Sequence, residues 1–161
     1  MFVKLFADAG LVAVLVWGAV AGAVWLWRTR PKLAVVLPYA IMAGLTSLLI
    51  GKLLSLLPVQ HARPFVEQGA VAGAAYIDNP GFPSDHALLA VVVVMAVFFL
   101  TPYKKSAYGM LLLTLVMCVA RVVALVHTPF DITGGLVAGA AGAVWYFGYR
   151  PVRAGVSRTK S

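Results

Sequence analysis

The stretch SDHALLAVVVVMAVFFLT, residues 84–101, decides the fold. Ala87 to Leu100 is an unbroken apolar run behind a polar start, Ser84-Asp85-His86. A helix apolar on every side is buried in a large protein or crosses a membrane. If the helix begins at its polar cap, the segment approaches the roughly 20 residues that a bilayer crossing takes. The whole chain agrees with the second reading. It has 161 residues, 62% hydrophobic and 11% charged, with a mean hydropathy of +0.94. Soluble domains are about half apolar and about a quarter charged. Disordered chains have the opposite bias.

Working outward, four more segments have spanning length: Ala9 to Trp27, Leu33 to Leu57, Ala107 to Val126 and Ile132 to Tyr149. A cleaved leader is a weaker reading of the first. Its apolar region is long, Asp8 stands near its start, and Trp25 and Trp27 suit a membrane interface. The expected architecture is therefore an all-α, polytopic membrane helix bundle of about five transmembrane helices, one domain over residues 1–161. The lone Cys118 excludes an internal disulfide and lies in an apolar run, where it reads as a packing residue. Gly18 with Gly22, and Gly135 with Gly139, have the small-residue spacing that lets helices approach closely, expected here within the bundle. The sequence says nothing about oligomeric state.

Charge sorts the connections. With five crossings, the loop at Arg28–Lys32, the loop at Lys104–Lys105 and the tail share one side. They hold nine of the 13 Lys and Arg residues and no acid. The other side carries the long loop from Pro58 to Pro83 and the turn at His127. All five acids, Asp8, Glu67, Asp78, Asp85 and Asp131, lie on or next to it. The basic side is expected to be cytoplasmic. The net charge of +8 is thus a topology signal, and no nucleic acid partner is expected. Within the long loop, Glu67 to Ile77 is either a short interfacial helix over the site or a simple return connection.

Ionisable residues at membrane depth usually have a task. Arg121 stands near the outer end of the fourth span, followed by His127 and Asp131. Pro129 and Asp131 read as the start of the fifth span, with Asp131 as its cap. Ser84 or Asp85 caps the third span, and such a helix start favours anions, phosphate above all. The long loop adds Arg63-Pro64. Taken singly, His86 could be a headgroup-level residue, Arg121 could snorkel and Asp131 could only cap. Together they place two Arg, two His and a Ser on one bilayer face. Guanidinium forks match phosphate oxygens.

These residues resemble the signature of the type 2 phosphatidate phosphatase superfamily. That signature reads Lys, six residues, Arg-Pro; then Pro-Ser-Gly-His; then Ser-Arg, five residues, His, three residues, Asp. Here the counterparts are Arg63-Pro64, Pro83-Ser84-Asp85-His86, and Arg121 with His127 and Asp131. The stretches Arg63-Pro64-Phe65 and Phe82 to Ala87 look most like the undecaprenyl pyrophosphate phosphatases of the bacitracin-resistance type, and the matched core covers about residues 52–142. Three positions depart from the pattern. The family Lys falls at Leu56, leaving Lys52, Gln60 or His61 to replace it; the Ser before Arg121 is Ala120; and the Gly before His86 is Asp85. Lys52 lies eleven residues before Arg63, about 16 Å along a continuous helix, so it reaches the same phosphate only across a break such as Pro58.

The resemblance implies a bacterial plasma-membrane lipid phosphatase with its site on the extracytoplasmic side, needing no metal and no other cofactor. Its substrate would be a lipid phosphate or pyrophosphate, foremost undecaprenyl pyrophosphate. Phosphatidate, phosphatidylglycerol phosphate and lipid A are alternatives, as is a catalytically degenerate relative. His127 would be the nucleophile that forms a phosphohistidine, Asp131 its orienting partner and His86 the general acid and base. Arg63, Arg121, Ser84 and Lys52 would hold phosphate. Two other readings stand beside it. His61, His86, His127, Asp85 and Asp131 could bind Zn²⁺ or Mg²⁺, or the chain could be a channel, transporter subunit or assembly factor.

Overall fold

A computed structural model describes residues 2–59, 62–76 and 81–149. The described residues are helical without strands. In chain order they form α1 (Phe2–Thr29), α2 (Leu33–Leu54), the four-residue α3 (Pro64–Glu67), α4 (Asp85–Leu100), α5 (Lys104–Val123) and α6 (Pro129–Ala141). A 3-10 segment, Gly142–Gly148, continues directly from α6. α1, α2 and α5 are long and apolar enough to cross a membrane, and α4 is a shorter apolar helix. Outward-facing side chains such as Trp17, Leu45, Leu49, Val119 and Phe147 are large and apolar, as a lipid-facing surface requires.

α4 is the axis of the bundle. It packs against α1, α2, α5, α6 and the 3-10 segment, and its Ala87, Ala90, Val91, Val94 and Val97 are buried. That is why its sequence is apolar on every side. α1 pairs with α5, and α2 with α6. Cys118 lies in the core with Val14, Met110 and Met117, as expected of a packing residue.

Glycines set the spacing of α4 and α6. A Cβ on Gly135 would come 2.3 Å from the Ser84 carbonyl oxygen, and one on Gly139 would come 2.6 Å from that of Leu88. Both belong to packing inside the bundle, as their spacing suggests. Of the other pair, Gly18 meets Val93, whereas Gly22 faces open space and makes no close approach.

The expected fifth span is not one regular helix. It changes from α to 3-10 at Gly142. Ser47 on α2 holds the junction: its hydroxyl donates to the Gly139 carbonyl (3.0 Å) and accepts from the Gly142 N–H (3.2 Å). A buried backbone N–H needs a partner, and Ser47 supplies it where the winding tightens. The ends of the spans also shift. α1 starts at Phe2 rather than Ala9, and α2 ends at Leu54 rather than Leu57. The stretch read as an interfacial helix or a return connection, Glu67–Ile77, shows no such helix over its described part, which ends at Tyr76; Ile77 lies outside the described residues. Beyond α3, residues 70–76 form a non-helical strap. The strap docks through Gly73, whose N–H donates to Ala124 O (3.0 Å) and whose missing Cβ would lie 3.0 Å from Ala124 Cα.

Gly135→Ala is expected to lower thermal stability in detergent by about 1–3 kcal/mol, because the added carbon meets backbone that cannot step aside. Gly22→Ala, facing open space, is expected to change stability by less than about 1 kcal/mol. Thermal unfolding of the two variants side by side checks this.

Candidate active site

The site forms where α4 and α6 begin, α5 ends and α1 begins. Its pieces are joined by main chain. The Ser84 N–H donates to the Asp131 carbonyl (3.0 Å), which ties the start of α4 to the first turn of α6. Phe82 stacks on Phe130 with ring centroids 4.7 Å apart and lies against Gly134, so the segment before α4 rests on α6.

α5 ends in a Schellman turn. The Val126 N–H donates to Arg121 O and the Leu125 N–H to Val122 O, with Leu125 at φ 60°. Glycine normally fills this left-handed position, and for leucine it is strained. The turn aims two carbonyls at the long loop. Leu125 O accepts from the Phe65 N–H (3.0 Å), and Val126 O accepts from Arg63 Nη1 (2.5 Å). Arg63 is thereby set one residue from His127, with its guanidinium 5.2 Å from the centre of the Tyr76 ring.

His127 is buried, 4% exposed, between that turn and α6. Its Nδ1 faces Asp131 Oδ2 at 3.7 Å. Asp131 is not the cap of α6. Thr128 is, and Asp131 stands three residues into a capping box: the Asp131 N–H donates to Thr128 Oγ1 (3.1 Å) and the Thr128 N–H donates to Asp131 Oδ2 (2.7 Å). The reason is Pro129. It lacks an N–H and suits the first helical position, which moves the cap back to Thr128. The carboxylate that faces His127 is therefore fixed by its own helix start. Gly81 lies beside it: a Cβ there would be 3.4 Å from Asp131 Oδ2 and 3.8 Å from Arg63 Nη1.

Arg121 is 1% exposed. Its Nη1 donates to Ala7 O on α1 (3.0 Å) and its Nη2 to Ala75 O on the strap (3.3 Å). His86, in the first turn of α4, feels the charges of Arg121, His127, Asp8 and Arg63. Ser84 holds the cap position of α4, but its Oγ makes no capping bond. Arg121 Nε, His127 Nδ1 and Ser84 Oγ are buried polar atoms without a hydrogen-bond partner among the described residues. Each such group costs about 1–3 kcal/mol unless something satisfies it. His127 Nδ1 is turned to Asp131; the Arg121 Nε donor and the Ser84 hydroxyl, beside two guanidinium groups, suit an oxygen-rich anion.

Six of the expected site residues, Arg63, Ser84, His86, Arg121, His127 and Asp131, thus meet at one end of the bundle. Lys52 is placed differently. It lines a cleft of about 380 Å³ between α2 and α4 with Ser55, Leu56, Phe82, Pro83 and Asp85, and none of those six lines that cleft. Asp85 therefore shares its surroundings with Lys52. Gln60 and His61, the other candidates for the missing lysine, lie outside the described residues. Among the described residues, no three His, Cys, Asp or Glu side chains gather as a metal site would require. Three contributors escaped the sequence reading. For Thr128 the signal was present, because Thr128-Pro129 with an acid at Asp131 is the spacing of a capping box. Asp8 and Tyr76 come from distant chain, and no local pattern announces them.

Comparison with known proteins gives the same grouping. The PAP2 superfamily matches residues 39–154. The chain belongs to that superfamily. It is 33% identical over 122 residues to YbjG of Escherichia coli (strain K12), provisionally named an undecaprenyl-diphosphatase, covering 74% of this chain and 59% of that protein. It is 30% identical over 129 residues to the bacitracin transport permease protein BcrC of Bacillus licheniformis (79% and 61%). It is 27% identical over 125 residues to the undecaprenyl-diphosphatase BcrC of Bacillus subtilis (strain 168) (78% and 63%). The chain spans about three fifths of the length of these curated relatives. No solved structure matches it.

Thr128→Ala removes the cap that fixes Asp131 and is expected to cost about 1 kcal/mol of stability, with Thr128→Ser close to the parent. Thermal unfolding in detergent measures both.

Proposed function

We propose that this PAP2 superfamily member is a membrane lipid phosphatase acting through a phosphohistidine, with undecaprenyl pyrophosphate as its foremost substrate. One observation carries the reading: His127 with its Asp131, His86, and two guanidinium groups come together beside Arg121 Nε and Ser84 Oγ, buried atoms without a hydrogen-bond partner among the described residues. The names of two of the relatives above support the choice of lipid. Five crossings of a bacterial plasma membrane, with the site on the extracytoplasmic side, fit the basic residues at the opposite end of the bundle. The whole chain acts as one domain.

In this mechanism Nδ1 of His127 faces Asp131, which leaves Nε2 to attack phosphorus. The Nε2–P bond forms as the bridging P–O bond breaks. Asp131 holds the Nδ1 proton and stabilises the charge that grows on the ring. The present 3.7 Å separation closes to hydrogen-bond length once the anion is bound, as catalytic contacts often do. His86 gives a proton to the leaving lipid phosphate. It then takes one from the water that breaks the P–N bond and releases inorganic phosphate. Arg63, Arg121 through Nε, Ser84 Oγ and the first N–H groups of α4 hold the oxygens where charge collects. Lys52 stands in the adjoining cleft, where it offsets the Asp85 carboxylate and meets the outer parts of the headgroup.

Purified protein in detergent with EDTA is expected to release phosphate from undecaprenyl pyrophosphate faster than from phosphatidate, phosphatidylglycerol phosphate or lipid A. His127→Ala is expected to lose roughly 10³-fold or more of that rate while keeping its thermal unfolding temperature. Full activity in this variant would remove His127 as nucleophile and the proposal with it. Lys52→Gln is expected to lower turnover of the pyrophosphate substrate more than that of a monophosphate. Equal losses on both substrates would take Lys52 out of substrate recognition.

A further inference from the structure

Ala75 is held at both of its main-chain groups. Its N–H donates to Asp8 Oδ1 on α1 (2.8 Å), and its carbonyl accepts from Arg121 Nη2 (3.3 Å). The residue before Asp8, Ala7, accepts the other terminal nitrogen of Arg121 (3.0 Å). Two successive residues of α1 and one residue of the strap thus form a closed ring around the Arg121 guanidinium. The ring is packed by small side chains: Ala7, Ala74, Ala120, Ala124 and Val126 form one buried cluster. The next strap residue, Tyr76, lies against Phe65 with centroids 4.9 Å apart and beneath the Arg63 guanidinium. Asp8 also acts electrostatically on both Arg121 and His86.

Asp8 is half-buried and lies 67 residues from Ala75 in sequence. A carboxylate there is costly unless bonded, and the bond it makes ends on the one strap residue that also holds Arg121. We propose that Asp8 is a positioning residue: by latching the strap to α1 it sets Arg121 through the Ala75 carbonyl and Arg63 through Tyr76, and so fixes the grip on the phosphate group. The proposal rests on the phosphatase reading only for what the two arginines hold. Asp8 touches no reacting atom. Its effect falls on anion binding, because both arginines meet the charged headgroup before and during the reaction alike.

Three measurements on the intact chain test this. They are KM and kcat on undecaprenyl pyrophosphate, affinity for inorganic phosphate by calorimetry, and amide exchange of the strap. Asp8→Ala is expected to raise KM about tenfold with kcat changed less than about threefold, to weaken phosphate binding about tenfold, and to speed exchange over residues 73–76. A merely structural loss would lower the apparent kcat through a smaller folded fraction and leave KM alone. Asp8→Asn keeps the acceptor for the Ala75 N–H and is expected to stay within about threefold of the parent in all three. An Asp8→Ala protein with unchanged phosphate affinity and unchanged exchange overturns the proposal. So does an Asp8→Asn protein as impaired as Asp8→Ala. If the parent hydrolyses no lipid phosphate, the phosphatase reading fails, and phosphate affinity and strap exchange still decide the role of Asp8.

Discussion

The hydrogen bond from the Ser84 N–H to the Asp131 carbonyl is the joint on which the site depends. It fixes the start of α4 against the first turn of α6, and these two helix starts carry both histidines. The bond is possible because Gly134 and Gly135 bring no side chain where Phe82, Pro83 and Ser84 pass. In a membrane bundle the hydrophobic effect does little to hold helices together, so close contact and buried hydrogen bonds take over. Here both operate at the same place. The contact that assembles the bundle also assembles the chemistry.

The two arginines do different work. Arg121 is an internal strut, since both of its terminal nitrogens hold main-chain carbonyls. Arg63 is set by Val126 O, a carbonyl turned toward it by the strained Leu125. Left-handed leucine costs about 1–2 kcal/mol, and backbone strain of this kind tends to sit at functional sites. What it achieves is visible: the chain leaves α5 at once and brings His127 to α6 within a few residues.

The membrane class, the segments that build the bundle and the residues that meet at one end were all legible in the sequence. Each follows from a local pattern: an apolar run, a basic loop, a Pro-Ser-x-His start. The failures have physical reasons. From sequence alone Asp131 reads as a cap, because an acid at a helix start looks the same in either position; Pro129 at the first helical position decides for Thr128. The break of the last span at Gly142 depends on Ser47, 95 residues away. No period in Gly142–Gly148 announces it. The strap from residue 70 to 76 is rich in small apolar residues, which suit a helix equally well. Its docking on α1 and the end of α5, through Asp8 and Ala124, holds it out of a helix. The family lysine is absent from its usual place, and a change of position by one helical turn, Leu56 to Lys52, cannot be ranked without knowing where α2 ends.

The shortness of α4 has a further consequence. Its sixteen residues rise about 24 Å, whereas a typical hydrocarbon core is about 30 Å thick. A central helix cannot tilt to make up the difference, because tilting only shortens its reach. Its Ser84 end is therefore recessed below the plane of the lipid headgroups, or the bilayer thins around it. In the first case only a group carried down by its own lipid tail comes level with this end; in the second the membrane bends to the protein and its headgroups arrive there unaided. On the phosphatase reading proposed above, both routes favour an amphiphile over a water-soluble phosphate ester, which has no tail to hold it at the helix end. Helix length would then sort substrates before any side chain touches them.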